Sequence, residues 1–297
     1  MTETKTILVT GATGLIGRPL CQELMAAGHT VRTLSRGERG DFRWDPGKSE
    51  LPAEAVEGVD AVVHLAGESV AQRWTPEAKE RIRQSRTQST ELLVRRILEA
   101  GSRPAFISAS GINYYGYDRD DPVDERSSSG EGFLAEVCRQ WEAAAQPLAE
   151  AGCRCVYVRT GVVLSAAGGA LAKMLPPFKA GAGGRIGDGK QAMSWIALDD
   201  LVRLYLSCVE DETFRGPVNA VAPEPVSNRK FARTLGKVIG RPTFLPTPAF
   251  AVRTLFGEMG AETVLSNLAV KPRYLQEHGF SWSYPDLESA LSQALNK

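Results

Sequence analysis

The chain has 297 residues, 43% hydrophobic and 24% charged, so a packed globular core is expected and a disordered regulator, a fibrous repeat or a minimal scaffold is excluded. Thirty-five Lys and Arg balance 35 Asp and Glu, which leaves no global field to hold nucleic acid or an acidic membrane and points to a small-molecule partner. The five cysteines (Cys21, Cys138, Cys153, Cys155, Cys208) form no CxxC clip and read as free buried thiols; with no 18-residue apolar run and no leader-like start, the expected compartment is the cytosol.

Thr6–Thr10 is a β-rich run, and the glycines after it lead into a helix over Leu15–Ala27 that Gly28 stops. His29–Leu34 and Ala61–Leu65 read as strands, and Pro76–Ala100 as a long amphipathic helix ended by Gly101. A strand over Ala105–Ser110, a helix over Phe133–Ala149 and a strand over Cys155–Leu164 continue the alternation, which predicts an α/β doubly wound parallel sheet with helices on both faces. Gly161–Gly189 is rich in Gly and Ala and carries Pro176-Pro177, so a loop-rich insertion is expected there. Asp199–Val209 reads as helix with the acids Asp199 and Asp200 capping it, Pro217–Ala222 as strand, and Ser227–Ile239 as a helix with a Ser cap and Gly240 stop. After Pro242, Pro246 and Pro248 the tail reads as helical over Phe250–Val270 and Asp286–Ala294. Residues 1–160 then form the nucleotide-binding core, with a strand and helix added from about 195–225; 161–194 and 223–297 form a smaller mixed lobe, of which 242–297 is a mainly helical extension.

Gly11-Ala12-Thr13-Gly14-Leu15-Ile16-Gly17 sits between the first strand and the first helix, where backbone amides and a helix N-terminus can hold a pyrophosphate. Gly11 permits the tight turn, Gly14 lets the phosphate approach, and Gly17 lets the helix pack close. The GxxGxxG spacing is one residue wider than the usual fingerprint, but its strand and helix context matches. A dinucleotide enzyme that takes NAD carries an acid at the end of the second strand; here Ser35 and Arg36 stand there, with Arg39 following. A guanidinium and a hydroxyl suit a 2′-phosphate, so NADP(H) is the expected cofactor, the alternative for Arg36 being an ordinary surface arginine.

The glycine triplet, His64-Leu65-Ala66-Gly67, and Ser108-Ala109-Ser110 followed by Tyr115-Gly116 together resemble the extended short-chain dehydrogenase/reductases, and Arg159–Leu164, Ile186–Gln191 and Trp195–Asp200 resemble that group's later blocks. Tyr114-Tyr115-Gly116, Met193–Ile196, Pro248–Phe250, Gly257–Met259, Lys271-Pro272 and Tyr284-Pro285 resemble its atypical "epimerase family" branch, which ends in a helical domain of unassigned function. The resemblance implies a Rossmann fold binding NADP(H), with Leu65, Ala66 and Gly67 lining the cofactor and Val162 near the nicotinamide. It supplies no substrate, because fold does not determine chemistry.

In the wider group a Ser orients the substrate oxygen, a Tyr transfers a proton and a Lys lowers the Tyr pKa. The Tyr-x-x-x-Lys pair is absent here: aligning on Glu142 puts Leu134 and Cys138 at its two positions, and the group's asparagine on the long helix is replaced by Arg86. Ser110 and either Tyr115 or Tyr114 are therefore the catalytic candidates, against the alternative of an aromatic cap on the core. Ser108 and Glu68 are assigned to the cofactor, with backbone satisfaction and a solvated loop carboxylate as their alternatives. His64 reads as a packed, hydrogen-bonded core histidine, and no spaced Cys/His cluster predicts a metal. Lys173, Phe178, Met193 and Trp195 are expected to wall a substrate cleft between the sheet's C-terminal edge and the second lobe. The sequence is thus read as an NADP(H)-dependent oxidoreductase acting on a small carbonyl or alcohol, working as a monomer or homodimer. A non-catalytic NADP(H)-binding regulator is second, and a nucleotide-sugar epimerase or dehydratase third, because Met193 stands where the sugar-nucleotide enzymes carry arginine.

Overall fold

A computed structural model of the chain describes residues 3–296. Strand β1 (Thr6–Thr10) leads through the glycine turn into helix α1 (Gly17–Ala26), followed by β2 (Thr30–Ser35), β3 (Phe42–Arg43) and β4 (Ala61–His64). Helix α2 (Pro76–Glu99), β5 (Ala105–Gly111), helices α3 (Phe133–Ala144) and α4 (Gln146–Glu150), and β6 (Cys155–Thr160) complete the first half. The second half holds β7 (Val162–Leu164), α5 (Gly169–Lys179), β8 (Ala192–Met193), β9 (Trp195–Ala197), α6 (Leu198–Glu210), β10 (Gly216–Ala220) and β11 (Val226–Ser227). Helices α7 (Asn228–Ile239), α8 (Ala249–Met259), α9 (Arg273–Glu277) and α10 (Leu287–Ala294) close the chain.

Seven strands form one sheet in the order β10-β6-β5-β4-β1-β2-β3, every pair parallel. Side chains alternate between its faces: Ile7 and Val9 pack with Leu20 and Leu24 of α1 and Leu201 and Tyr205 of α6, whereas Leu8 packs with Leu93 and Ile97 of α2. Each such buried leucine contributes about 1.5–3 kcal/mol, so both faces are covered by apolar burial. The winding reverses at β1, which pairs β2 on one side and β4 on the other, and this switch point is where ligands of such sheets bind. No helix among the described residues is long and apolar enough to cross a membrane.

Four expected elements differ. The expected strand Cys155–Leu164 divides at Gly161: β6 stays in the main sheet and β7 pairs with β9 in a second sheet, Val162 opposite Trp195. A Cβ on Gly161 would lie 2.8 Å from the Ser194 carbonyl oxygen, so the crossing requires glycine. The helix Phe133–Ala149 breaks before α4, where Pro147 has no N–H to continue the ladder. The expected insertion carries α5, which runs through Pro176 and Pro177. Both prolines are exposed, at the helix's far end, while Leu171, Leu175 and Phe178 are buried along one stripe; burial outweighs the lost hydrogen bonds. Finally, the tail is helical only to Val264, after which Asn267 and Val270 form bridges to Asp118 and Val123.

That tail is stitched to the core by buried polar groups. Asp200, fully buried in the first turn of α6, does not cap its own helix but accepts the amides of Ser283 and Tyr284 at 2.7 and 3.0 Å. Ser194 Oγ donates to the Leu268 carbonyl and accepts the Val270 amide. Glu262, 5% exposed, accepts the Phe133 and Leu134 amides at 2.8 and 3.0 Å and so caps α3, whose own cap residue, Gly132, has no side chain to do so. We expect Glu262→Ala to lower stability by about 2 kcal/mol, the scale of a lost cap made of charge-assisted bonds. Urea unfolding checks this, and a loss below about 0.5 kcal/mol would show that α3 does not need the tail.

Candidate functional site

At the switch point lies a cleft of about 640 Å³, bounded by the glycine turn, the ends of β2 and β4, and one face of α2. Gly11 has φ +69°, and a Cβ there would lie 3.0 Å from the Leu65 carbonyl carbon. A Cβ on Gly17 would sit 2.2 Å from the Gly11 carbonyl oxygen, so its closeness serves the turn itself as well as the helix. No side chain caps the start of α1, and the turn that leads into it, Gly11–Gly14, lines the cleft. Gly11, Thr13 and Gly14 line the cleft, while Leu15 turns away to pack against Gly168 and Gly169 of the second lobe and Ile16 joins the core beneath α1.

Ser35, Arg36 and Arg39 line the β2 end of the same cleft, and Arg81 reaches it from α2. Three arginines outnumber the two acids there, Asp45 and Glu68, so the wall suits an anion. Arg81 escaped the sequence reading because it lies in a run of charged residues whose facing only the helix position reveals. Asp41, which follows β2, is committed to Thr33, accepting its amide at 2.7 Å and its hydroxyl at 2.8 Å. Leu65, Ala66, Gly67 and Glu68 form the opposite lip; the Glu68 amide donates to Ser85 Oγ and its carboxylate accepts from Gln72.

The lip is held from below by His64, which is fully buried. Ser89 Oγ donates to the Ser85 carbonyl at 2.7 Å, so it accepts from His64 Nε2–H at 3.1 Å. The bare Nδ1 then receives the Thr10 hydroxyl at 2.7 Å, and Thr10 Oγ1 in turn accepts the Leu65 and Ala66 amides. Burial, helped by Arg86, pushes the His64 pKa down to about 3, so the ring is neutral.

The catalytic candidates lie elsewhere, at the ends of β5 and β6. Tyr115 is fully buried: its hydroxyl donates to Asn219 Oδ1 at 2.8 Å and accepts from Arg159 Nη1 at 2.9 Å. Burial outweighs the Arg159 charge and pushes its pKa up to about 12. With its oxygen enclosed and both bonds taken, Tyr115 is a structural residue, which corrects its expected role in proton transfer. Ser110 is 6% exposed and donates to Glu142 Oε1 at 2.7 Å, while Arg159 grips the same carboxylate through Nε and Nη2 at 2.8 and 2.7 Å. Ser110 thus has no proton left for a carbonyl oxygen, though its lone pairs can accept one. Tyr114 is half-buried, its ring 3.4 Å from the Arg159 guanidinium carbon, and its hydroxyl has no protein partner among the described residues. Ser108, 1% exposed, donates to the Ala109 carbonyl and does not line the cleft.

The expected substrate wall is dispersed. Phe178 and Trp195 are 7% and 1% exposed and belong to the second lobe's core, with Val162 packed against it. Their side chains are committed to that core, which corrects their expected place in the wall. Met193 is half-buried and its sulfur accepts from Asn228 Nδ2, while Lys173 is exposed and donates to the Ala71 carbonyl at 2.9 Å across the lobes.

Because His64 is neutral when folded but has an ordinary pKa of about 6.5 when unfolded, its contribution is complete above pH 6.5 and lost as pH falls toward 3. We expect this group alone to steepen the loss of stability by about 1.4 kcal/mol per pH unit below 6. Unfolding at pH 4.5 to 7 in wild type and His64→Gln checks this; identical slopes would refute it.

The NAD dependent epimerase/dehydratase family matches residues 7–219, and a domain of unknown function (DUF1731) matches residues 247–294. An epimerase family protein of Mycobacterium tuberculosis is 40% identical over 295 residues, covering 98% of each chain. The chloroplastic homologue of epimerase family protein SDR39U1 from Arabidopsis thaliana is 41% identical over 299 residues, covering 96% of this chain and 85% of its own. The crystal structure of human epimerase family protein SDR39U1 with NADPH is 36% identical, with a TM-score of 0.88 over 98% of this chain and 100% of that one. With the switch-point cleft, the glycine turn and the tail all matched along their length, this chain belongs to the NAD dependent epimerase/dehydratase family, in the branch that carries the DUF1731 domain.

Proposed function

We propose that the protein is an NADP(H)-dependent oxidoreductase of the extended short-chain type that acts on a small carbonyl or alcohol. The observation that carries this reading is the cleft itself, in which an uncapped glycine turn faces Arg36, Arg39 and Arg81. Its residues fit the cofactor: the α1 amides suit a pyrophosphate, and the arginines suit a 2′-phosphate that an acid would repel. The crystallised human relative with NADPH supports the same choice. When bound, the nicotinamide supplies hydride transfer. On the protein side, the Leu65–Gly67 lip, fixed by Thr10 and His64, supports the ligand from beneath. We assign the giving or taking of a substrate proton to Tyr114, whose hydroxyl has no protein partner among the described residues, and to Ser110 the acceptance of a hydrogen bond from a substrate hydroxyl or a water.

A second reading, an NADP(H)-binding regulator without turnover, is favoured by Leu134 and Cys138 at the positions of the missing Tyr and Lys. A sugar-nucleotide substrate loses support from Met193, whose thioether is held by Asn228 where a diphosphate would call for cations.

Arg36→Asp is expected to weaken NADPH binding by about 1.5–3 kcal/mol and to affect NADH less, as titration of both cofactors would show. Equal losses would remove Arg36 from 2′-phosphate recognition. NADPH oxidation against a panel of carbonyls then separates the two readings. Turnover that falls 10²–10⁴-fold in Tyr114→Phe, with NADPH affinity intact, supports the enzyme. Tight NADPH binding with no turnover across the panel supports the regulator.

A further inference from the structure

Arg86 carries a guanidinium that forms no ion pair among the described residues, Glu68 being within electrostatic reach without bonding to it. Its guanidinium lies flat against Gly67, where a Cβ would fall 3.2 to 3.4 Å from Cζ and both terminal nitrogens, and its other neighbour is the Trp141 ring at 5.0 Å. Gly67 is small because the guanidinium occupies the space a side chain would need. Only Nη1 is engaged, donating to the Ile82 carbonyl at 2.9 Å and, more weakly, to Ser85 Oγ at 3.4 Å. Nε and Nη2 have no acceptor among the described residues, nor are they among the sealed unpaired polar atoms, unlike Trp141 Nε1 beside them. A planar fork that is covered on its faces and free along an accessible edge is shaped to receive an oxyanion in its plane.

Its position separates it from the arginines of the cofactor wall. Arg86 does not line the cleft with Arg36, Arg39 and Arg81. It lies between α2 and α3 within electrostatic reach of Cys138, whose thiol neighbours Ser110 and lies 3.5 Å from where a Gly111 Cβ would stand. The cation therefore sits toward the Ser110 end of the site. The other charged group facing it is Glu68, on the lip.

Taking the oxidoreductase reading as its basis, we propose that Arg86 is the anion anchor of the reaction site, and that the substrate is a small carbonyl or alcohol bearing a carboxylate or phosphate.

The test is titration calorimetry of NADPH-saturated protein with malonate and inorganic phosphate, with neutral malonamide as the control. Wild type should bind at least one anion tenfold or more tighter than malonamide. Arg86→Gln should lose that advantage, Arg86→Lys should keep part of it, and both should bind NADPH within about threefold of wild type. Equal binding of malonate, phosphate and malonamide by wild type overturns the proposal without needing a variant, as does undiminished anion binding in Arg86→Gln. A tenfold or larger loss of NADPH affinity in a folded Arg86→Gln would assign the free edge to the cofactor and likewise overturn it. If wild type binds the anions but not NADPH, the cofactor reading fails while the anion site stands.

Discussion

A guanidinium taken out of water is tolerable only if its donors are met, and Arg159, 4% exposed, meets them with two partners. Nε and Nη2 clasp the Glu142 carboxylate and Nη1 reaches the Tyr115 hydroxyl. Burial works against its charge, yet the bonds to Glu142 prevail and its pKa is raised. Through these bonds β6 is tied to α3, to Ser110 at the end of β5, and, by way of Tyr115 and Asn219, to β10 and the Lys271 carbonyl in the tail. Deleting one member leaves the others buried and unpaired, at a cost of about 3–5 kcal/mol for a broken buried ion pair. The ends of β5 and β6 are thereby braced as a structural joint.

The tail belongs to that joint. Glu262 reaches back to cap α3, Asp200 holds the turn before α10, and Ser194 fastens the extended stretch around Leu268. Each bond joins residues more than 70 positions apart, and each places a charge or hydroxyl where a helix end or an extended stretch would otherwise leave backbone groups unmet. The domain of unknown function is thus part of what orders the core's helices and strand ends.

Much of this fold is legible in sequence because it rests on local rules. The period-2 run of β1, the glycine turn, the α7 cap at Ser227 and the Gly240 stop each depend on neighbouring residues, and the structure shows them where expected. The residues expected at the glycine turn and the β2 end line one cleft for the same reason, since one strand–turn–helix unit and one strand end supply much of its wall. What escaped depends on partners far away in the chain. Pro176-Pro177 marks a break until Leu171, Leu175 and Phe178 find a core to enter. Tyr115 reads as a reactive hydroxyl until Arg159 and Asn219 close on it, and nothing near Glu262 announces that it caps a helix 130 residues earlier.

Two arginines show where sequence patterns stop and chemistry begins. Arg159 and Arg86 are both drawn into the protein beside aromatic rings, and composition cannot tell them apart. Arg159 faces Glu142 and is spent on structure, whereas Arg86 meets the Ile82 carbonyl and the Ser85 hydroxyl on one edge and no acceptor among the described residues on the other. A charge held in place by packing but left without an ion-pair partner costs stability unless a ligand completes it, which is the ground for the anion site proposed at Arg86. His64 is the contrasting solution: denied water and set near that cation, it sheds its proton and works as a neutral strut beneath the lip. Positive charge thus stands at two places, the arginines around the cleft and Arg86 beyond the lip, with the neutral His64 and the Glu68 carboxylate between them.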